Sequence, residues 1–354
     1  MQRELKFYEA LNEAVDLSMA QDPAVYVMGL GVPDPKGIFG STLGLQRKYG
    51  EERVMDMPAS ENGMTGVAIG SALVGMRPVM THQRLDFALL SLEQIVNQAA
   101  NWYYMFGGKK SIPLVIRMII GRGWGQGPQH SQSLQAWFAH VPGLKVVMPA
   151  VPRDAKGLLI ASIRDNNPVI FLEHRWLYNV SGPVPEGMYE VPLGKAAAVR
   201  EGTDITIVAV SYMTLEVMEA ADILARAGVG VEVIDMRTLR PLDEDTILES
   251  VKKTGHLLIA DLGHVTGGIG AEVAAIVAEK AFGDLKSPVR RIGLPDCPTP
   301  TSHGLARFYY PGTSRIITSI KDMLGLKGAR YDGLELHKDD IPHDVPDKQF
   351  TGPF

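Results

Sequence analysis

Cysteine is nearly absent from this 354-residue chain: Cys297 stands alone. No intrachain disulfide can therefore form, and a structural zinc site built on cysteines is excluded. An excess of one charge is missing too. Lysine plus arginine number 35 and aspartate plus glutamate 40, interspersed to a formal net charge of −5. That balance gives no electrostatic case for nucleic acid or an anionic membrane surface. No apolar run approaches the ~18–20 residues that cross a bilayer. The opening MQRELKFYEALNEAVDLSMA spreads charges through an amphipathic helical pattern where a signal peptide would carry an apolar core. The expected location is the cytoplasm. What is present is 45% hydrophobic and 21% charged residues, a composition that packs, at a length that suggests two domains.

Short apolar runs alternate with helical patterns. Ala24–Gly29, Arg77–His82, Pro113–Ile120, Lys145–Pro149 and Pro168–His174 read as strands, and PLVIRMII is continuous enough to be buried on both faces. Between them, Leu92, Ile95, Val96 and Ala99 fall at i, i+3, i+4 and i+7 and predict a helix over Leu90–Met105. Strand–helix alternation of this kind predicts a doubly wound parallel sheet, here an α/β domain over residues 1–180. The Pro- and Gly-rich stretch 181–201 reads as a linker. The alternation then restarts over 202–326, with strands at Asp204–Val210, Gly230–Met236, His256–Asp261 and Val289–Leu294. Helices are expected over Leu215–Ala227 and Asp243–Lys253. Residues 327–354 lack apolar periodicity and read as an extended tail on the surface or across a partner.

Two loops hold the residues suited to chemistry. PASENGMTG, Pro58–Gly66, sets Glu61 where a strand end meets a helix rich in small residues. A helix-start carboxylate taken alone is a cap or a macrodipole partner. Here Gly63, Gly66, Gly70 and Gly75 follow, and glycines inside a helix are tolerated where something must approach the backbone closely. GRGWGQGPQHSQS, Gly121–Ser133, brings four glycines within seven residues and then His130, directly after a buried strand. A lone histidine is ordinarily a surface or core residue; the Gly-rich setting and the flanking Gln129, Ser131, Gln132 and Ser133 point to a site. His140, in QAWFAHVPGLKVVMP, reads as a packing residue.

These two loops together resemble the β subunit of the thiamine-diphosphate-dependent 2-oxoacid dehydrogenases, the pyruvate and branched-chain family. The resemblance runs from about Leu5 to Leu326. It implies two doubly wound α/β domains, a transketolase-like pyrimidine-binding domain followed by a transketolase C-terminal domain. It implies that Glu61 hydrogen-bonds a ring nitrogen of the cofactor's aminopyrimidine and so favours the tautomer that deprotonates the thiazolium carbon. Phe87 would pack on the pyrimidine, with Gln83 beside it, and His130 would face the 2-oxoacid and act in acyl transfer to lipoamide. Asp165 and Asn167, in RDNNP, lie where relatives bind potassium, and EHRWLY, Glu173–Tyr178, matches a family segment in which His174 and Arg175 read as interface or structural residues. DLGHVTGGIGAEVAA resembles a subunit contact; its glycines lack the spacing of a dinucleotide fingerprint.

The segment Thr81–Phe87 departs from the family pattern. Thr81, His82 and Arg84 replace an acid and two aromatics, while Gln83, Asp86 and Phe87 remain. His82 and Arg84 are either surface changes or a source of cations for a polar or anionic substrate. Also absent is a Gly-Asp-Gly motif followed about thirty residues on by Asn-Asn, which holds magnesium and diphosphate in thiamine enzymes. The resemblance assigns that metal end to a separate α subunit in an α2β2 heterotetramer, with a lipoyl-bearing acyltransferase as acceptor. Two alternatives stand beside this reading: a split transketolase-type ketol transferase, and a non-catalytic scaffold subunit.

Overall fold

The computed structural model describes residues 3–121 and 125–335. Trp124 of the Gly-rich loop and tail residues 336–354 lie outside the described residues. The first domain is built on a seven-stranded sheet in the order Thr238–Arg240, Lys145–Val147, Val169–His174, Val115–Ile120, Arg77–His82, Val25–Met28, Val54–Met55. All neighbours are parallel except the first pair. The second domain carries a five-stranded sheet in the order Arg290–Leu294, Leu257–His264, Ile205–Ala209, Val231–Asp235, Ala197–Arg200, with only the last strand antiparallel.

The continuous apolar runs become strands because both faces are covered. Val79, Val115 and Phe171 point to one face and pack with the helices Phe7–Gln21 and Pro152–Arg164. Met80, Ile116 and Ile170 point to the other, against Glu61–Leu73 and the segment carrying Ile95 and Ala99. Side chains alternating along a strand send every second residue to each core. The helix expected over Leu90–Met105 forms as a composite, with a π-helical stretch Glu93–Ala99 running into α-helix Ala100–Met105.

Three features were not anticipated. Thr238–Arg240 leaves the second domain and joins the first domain's sheet beside Lys145–Val147. The stretch read as a linker carries two strands, Ser181–Pro183 paired with Glu4–Lys6, and Ala197–Arg200 on the edge of the second sheet. The described part of the tail is anchored: Tyr331 and Leu334 pack on the core, and Lys321 Nζ donates to Glu335 at 2.8 Å.

A fully buried ion pair lies at the centre of the first sheet. Arg117, on the strand Val115–Ile120, donates from Nε to Glu173 Oε1 at 2.6 Å and from Nη2 to Glu173 Oε2 at 3.0 Å. Arg117 Nη2 also reaches Ser41 Oγ at 2.9 Å, and the Tyr178 hydroxyl donates to Glu173 Oε2. Removing one charge from a buried pair strands the other in low dielectric, whereas replacing both with apolar groups does not. Glu173→Gln is therefore expected to destabilise by about 3–5 kcal/mol in urea titration, and Arg117→Met with Glu173→Leu to recover most of that loss.

The two domains meet around a second buried group. Asp235 accepts the Arg237 backbone N–H at 3.2 Å, while Asp154 is paired with Arg237 Nε at 2.8 Å. Burial, then the charge of Asp154, pushes the Asp235 carboxyl up to about 7. A raised folded-state pKa stabilises below the unfolded carboxylate range, and that stability is lost as pH rises to about 7. Asp235→Asn should therefore gain on the wild type by ~2–4 kcal/mol between about pH 4 and about pH 8 in paired urea titrations. A constant difference across that range would refute the assignment.

Candidate active site

Parallel strands bring their carboxyl ends to one sheet edge, where ligand sites of this topology lie. Arg77–His82, Val115–Ile120 and Val169–His174 end side by side, and the residues that follow are Gln83–Arg84, Gly121 and Arg175. A cavity of about 830 Å³ lies beside these ends, with Gln83, Arg84, Phe87, His130, Arg175 and Phe39 in its wall.

His130 ends a single turn, Pro128–His130, entered through Gly125 and Gly127, each at φ 67°. Its ring meets that of Phe87 edge to face, 5.3 Å between centroids. The loop is fixed from two sides. Gln132 Nε2 donates to Asp86 Oδ1 at 2.7 Å, tying it to the helical turn that carries Phe87. A Cβ on Gly127 would lie 2.7 Å from Thr301 Oγ1, so the second domain presses directly on the loop. Burial raises the Asp86 carboxyl, against the Gln132 hydrogen bond. Just below, Gln135 Nε2 donates to Asp261 Oδ1 of the second domain at 2.8 Å.

Glu61 is the first residue of the helix Glu61–Leu73 and is buried. No hydrogen bond reaches its carboxylate among the described residues, and it stands outside the cavity wall. Of the anticipated residues, the structure brings Gln83, Arg84, Phe87 and His130 together and leaves Glu61 and His82 apart. His82 requires a correction. It is buried and absent from the cavity wall, and burial pushes its imidazole down to about 4. Neutral at physiological pH, it supplies no cation to a substrate. With no partner among the described residues, His82 Nε2, Thr81 Oγ1 and Ser131 Oγ are buried polar atoms of the kind a ligand can satisfy.

Arg84 is the cation that remains. Its Nη1 donates to the Gly121 carbonyl at 3.2 Å and its Nη2 to Gln126 Oε1. Burial and the nearby Arg175 lower it to about 10, so it stays charged. Arg175, read from sequence as an interface or structural residue, lies in the cavity wall with its Cζ 4.4 Å from the centre of the Phe39 ring. His174 does stay structural: Trp176 N donates to its Nδ1 at 3.2 Å, its ring stacks on Tyr212, and burial pushes it down to about 3. A Cβ on Gly121, which sits at φ 69°, would strike His174 Nε2.

Around Asp165 and Asn167 several oxygens are engaged by protein donors. The Asp165 carboxylate takes Lys145 Nζ and the Asn167 N–H, while its carbonyl and that of Ile163 accept from Arg77 Nη1 at 3.1 and 3.0 Å. His140 is also corrected: it is exposed at the end of Gln135–His140 rather than packed. Arg117, which the sequence reading passed over, had a visible signal: a charge inside an apolar strand needs a buried partner.

Comparison with known proteins agrees with this architecture. Residues 3–181 match the transketolase pyrimidine-binding domain and residues 194–316 the transketolase C-terminal domain. The chain is 43% identical over 341 residues to the acetoin:2,6-dichlorophenolindophenol oxidoreductase subunit beta of Cupriavidus necator, covering 94% of this chain and 100% of that one. It is 43% identical to the pyruvate dehydrogenase E1 component subunit beta-2 of Oryza sativa, covering 90% and 86%. It is 42% identical to the E1 subunit beta of Rickettsia felis, covering 88% and 96%. A split-gene transketolase solved as an inactive beta4 tetramer shares the fold at a TM-score of 0.73 and 24% identity, covering 90% of this chain and 98% of that one. With both domain models matched along its length and relatives above 40% identity, the chain belongs to the transketolase-like family that includes the E1 β subunits of the thiamine-diphosphate-dependent 2-oxoacid dehydrogenases.

Proposed function

We propose that the chain is the β subunit of a heteromeric 2-oxoacid dehydrogenase that decarboxylates a 2-oxoacid and passes the acyl group to a lipoyl domain. The observation that carries this reading is the Phe87–His130 pair in the wall of a cavity on the same sheet edge as the buried Glu61. Thiamine diphosphate fits these residues: a carboxylate on a largely buried glutamate that accepts no hydrogen bond from the described residues, an aromatic wall, and unsatisfied polar atoms at the strand ends. When bound, the cofactor supplies a carbon nucleophile and then an electron sink. Glu61 would hold a proton toward a pyrimidine nitrogen, Phe87 would give the ring an apolar wall, and Gln83 a side-chain amide beside it. His130 would steady the substrate carboxylate and move a proton during acyl transfer.

Among the described residues, no three His, Cys, Asp or Glu side chains gather within reach of a metal ion. The reading assigns magnesium to a separate α subunit, with a shared site in an α2β2 assembly and a cytoplasmic setting. An apolar surface supports association: Val67 and Val74, in and just after the Glu61 helix, are 56% and 81% exposed, and Tyr104 on the adjoining composite helix is 88% exposed. A Cβ added at Gly70 on the same helix would meet no described atom beyond that helix's own backbone within 4 Å. A ketol transferase is the second reading, favoured by the cationic wall of Arg84 and Arg175, which suits a sugar phosphate.

Two measurements test the main reading. Thiamine diphosphate with magnesium, titrated calorimetrically, is expected to bind the complex with a co-expressed α subunit and not this chain alone. Binding to the isolated chain would refute the shared site. Within the complex, Glu61→Gln is expected to lower 2-oxoacid decarboxylation by about 100-fold or more while cofactor affinity changes less than about tenfold. Full activity in that variant would remove Glu61 from the mechanism.

A further inference from the structure

Three arginines other than Arg84, held wholly or partly inside this fold, meet a carboxylate or a set of carbonyls. Arg117 has Glu173, Arg237 has Asp154, and Arg77 has the carbonyls of Ile163 and Asp165. Arg84 is different. It is 3% exposed, its two acceptors are a carbonyl and a side-chain amide, and among the described residues no carboxylate lies within ion-pair distance of it. Asp86, the acid whose charge reaches it, is engaged by Gln132. A second guanidinium, Arg175, is close enough to disfavour its charge, and both lie against one ring, with Cζ to the Phe39 centroid at 5.7 Å from Arg84 and 4.4 Å from Arg175.

The ring that receives both cations is itself held out of the ordinary. Phe39 has φ 49°, a left-handed conformation that an aromatic residue adopts only when its surroundings force it. Those surroundings are Gly37 and Gly40 at φ 56° and 90°, the Tyr178 ring edge-on at 6.0 Å, and Ser41 bonded to Arg117. The cavity wall then holds Lys36, Arg84 and Arg175 against a single carboxylate, Asp34, which is exposed with Lys36 at the rim. Like charges placed together in a low-dielectric wall raise the free energy of the empty site and fall in energy when an anion enters. A guanidinium fork also matches the oxygens of a carboxylate or phosphate.

We infer that Arg84 and Arg175 form an oxyanion subsite that selects substrates carrying a second anionic group, a carboxylate or a phosphate monoester, remote from the reacting carbonyl. The inference rests on the proposed site at Phe87 and His130, since that pair fixes which end of the substrate reacts. It separates this chain from a subunit for pyruvate or branched-chain oxoacids, whose side chains are uncharged.

The test uses the complex with its α subunit, reduction of 2,6-dichlorophenolindophenol as readout, and two matched pairs: 2-oxoglutarate against 2-oxohexanoate, and xylulose 5-phosphate against xylulose. The anionic member of at least one pair should exceed its neutral partner in kcat/KM by about tenfold to a hundredfold, and the pair that shows it identifies the anion. Arg84→Gln should collapse that ratio toward one, and Arg84→Lys, which keeps charge but loses the fork, should leave an intermediate ratio. If Arg84 serves only to hold Gly121 and Gln126, both members fall together with the ratio unchanged, and the inference is overturned. Inorganic phosphate and glutarate, titrated calorimetrically into wild-type and Arg175→Lys complexes, give a readout free of turnover. Binding weakened in the variant supports the subsite even if no 2-oxoacid is decarboxylated, in which case the dehydrogenase reading fails alone. Equal use of charged and neutral substrates, with no anion bound, overturns the subsite and leaves that reading intact.

Discussion

Arg117 and Glu173 are diagonal neighbours on adjacent parallel strands with neither side chain in contact with solvent, and the geometry of the cavity depends on that contact. Two hydrogen bonds between the partners, plus the Ser41 and Tyr178 hydroxyls, saturate most of what burial strips of water. A buried pair is stable only when its remaining donors and acceptors are met in this way. The consequence spreads outward. Ser41 anchors the loop that bends Phe39 into its strained conformation, and Tyr178 sets the ring against which Phe39 and Arg175 rest. The cationic wall is thus held at its base by the ion pair in the sheet.

The electrostatics of the strand ends follow from burial rather than residue type. Two histidines end neighbouring parts of the edge, His82 and His174, and both are neutral because charged imidazole cannot be solvated there. Two arginines close by remain charged, since their intrinsic basicity exceeds what burial removes. The wall is therefore cationic through guanidinium, which does not titrate near neutrality, so its charge is fixed across physiological pH.

The second domain is part of the site's framework. Thr301 crowds Gly127, Asp261 receives Gln135, and the strand Thr238–Arg240 completes the first domain's sheet. The first two contacts, with Arg240 Nη1 donating to the Ala139 carbonyl, hold the described segment Gly125–His140 from the second domain's side. Stiffness of the elements behind a loop is what lets a glycine-rich segment hold one histidine at a defined distance from one aromatic ring.

The sequence by itself determined the central strands and the loops that follow them. An apolar run buried on both faces, such as PLVIRMII, has few alternatives to a central strand, and a Gly-rich segment after it has few alternatives to a turn at the sheet edge. His130 was legible for that reason, in a Gly-rich loop that leaves a strand whose end is marked in the chain, whereas Phe87 was assigned only through the family resemblance. Only the tertiary structure decided that Arg117 meets Glu173, that Thr238–Arg240 crosses between domains, that His82 is neutral, and that Arg175 joins Arg84 on Phe39. These depend on desolvation and on neighbours brought together across the fold, while periodicity along a chain reports only which face of an element is covered.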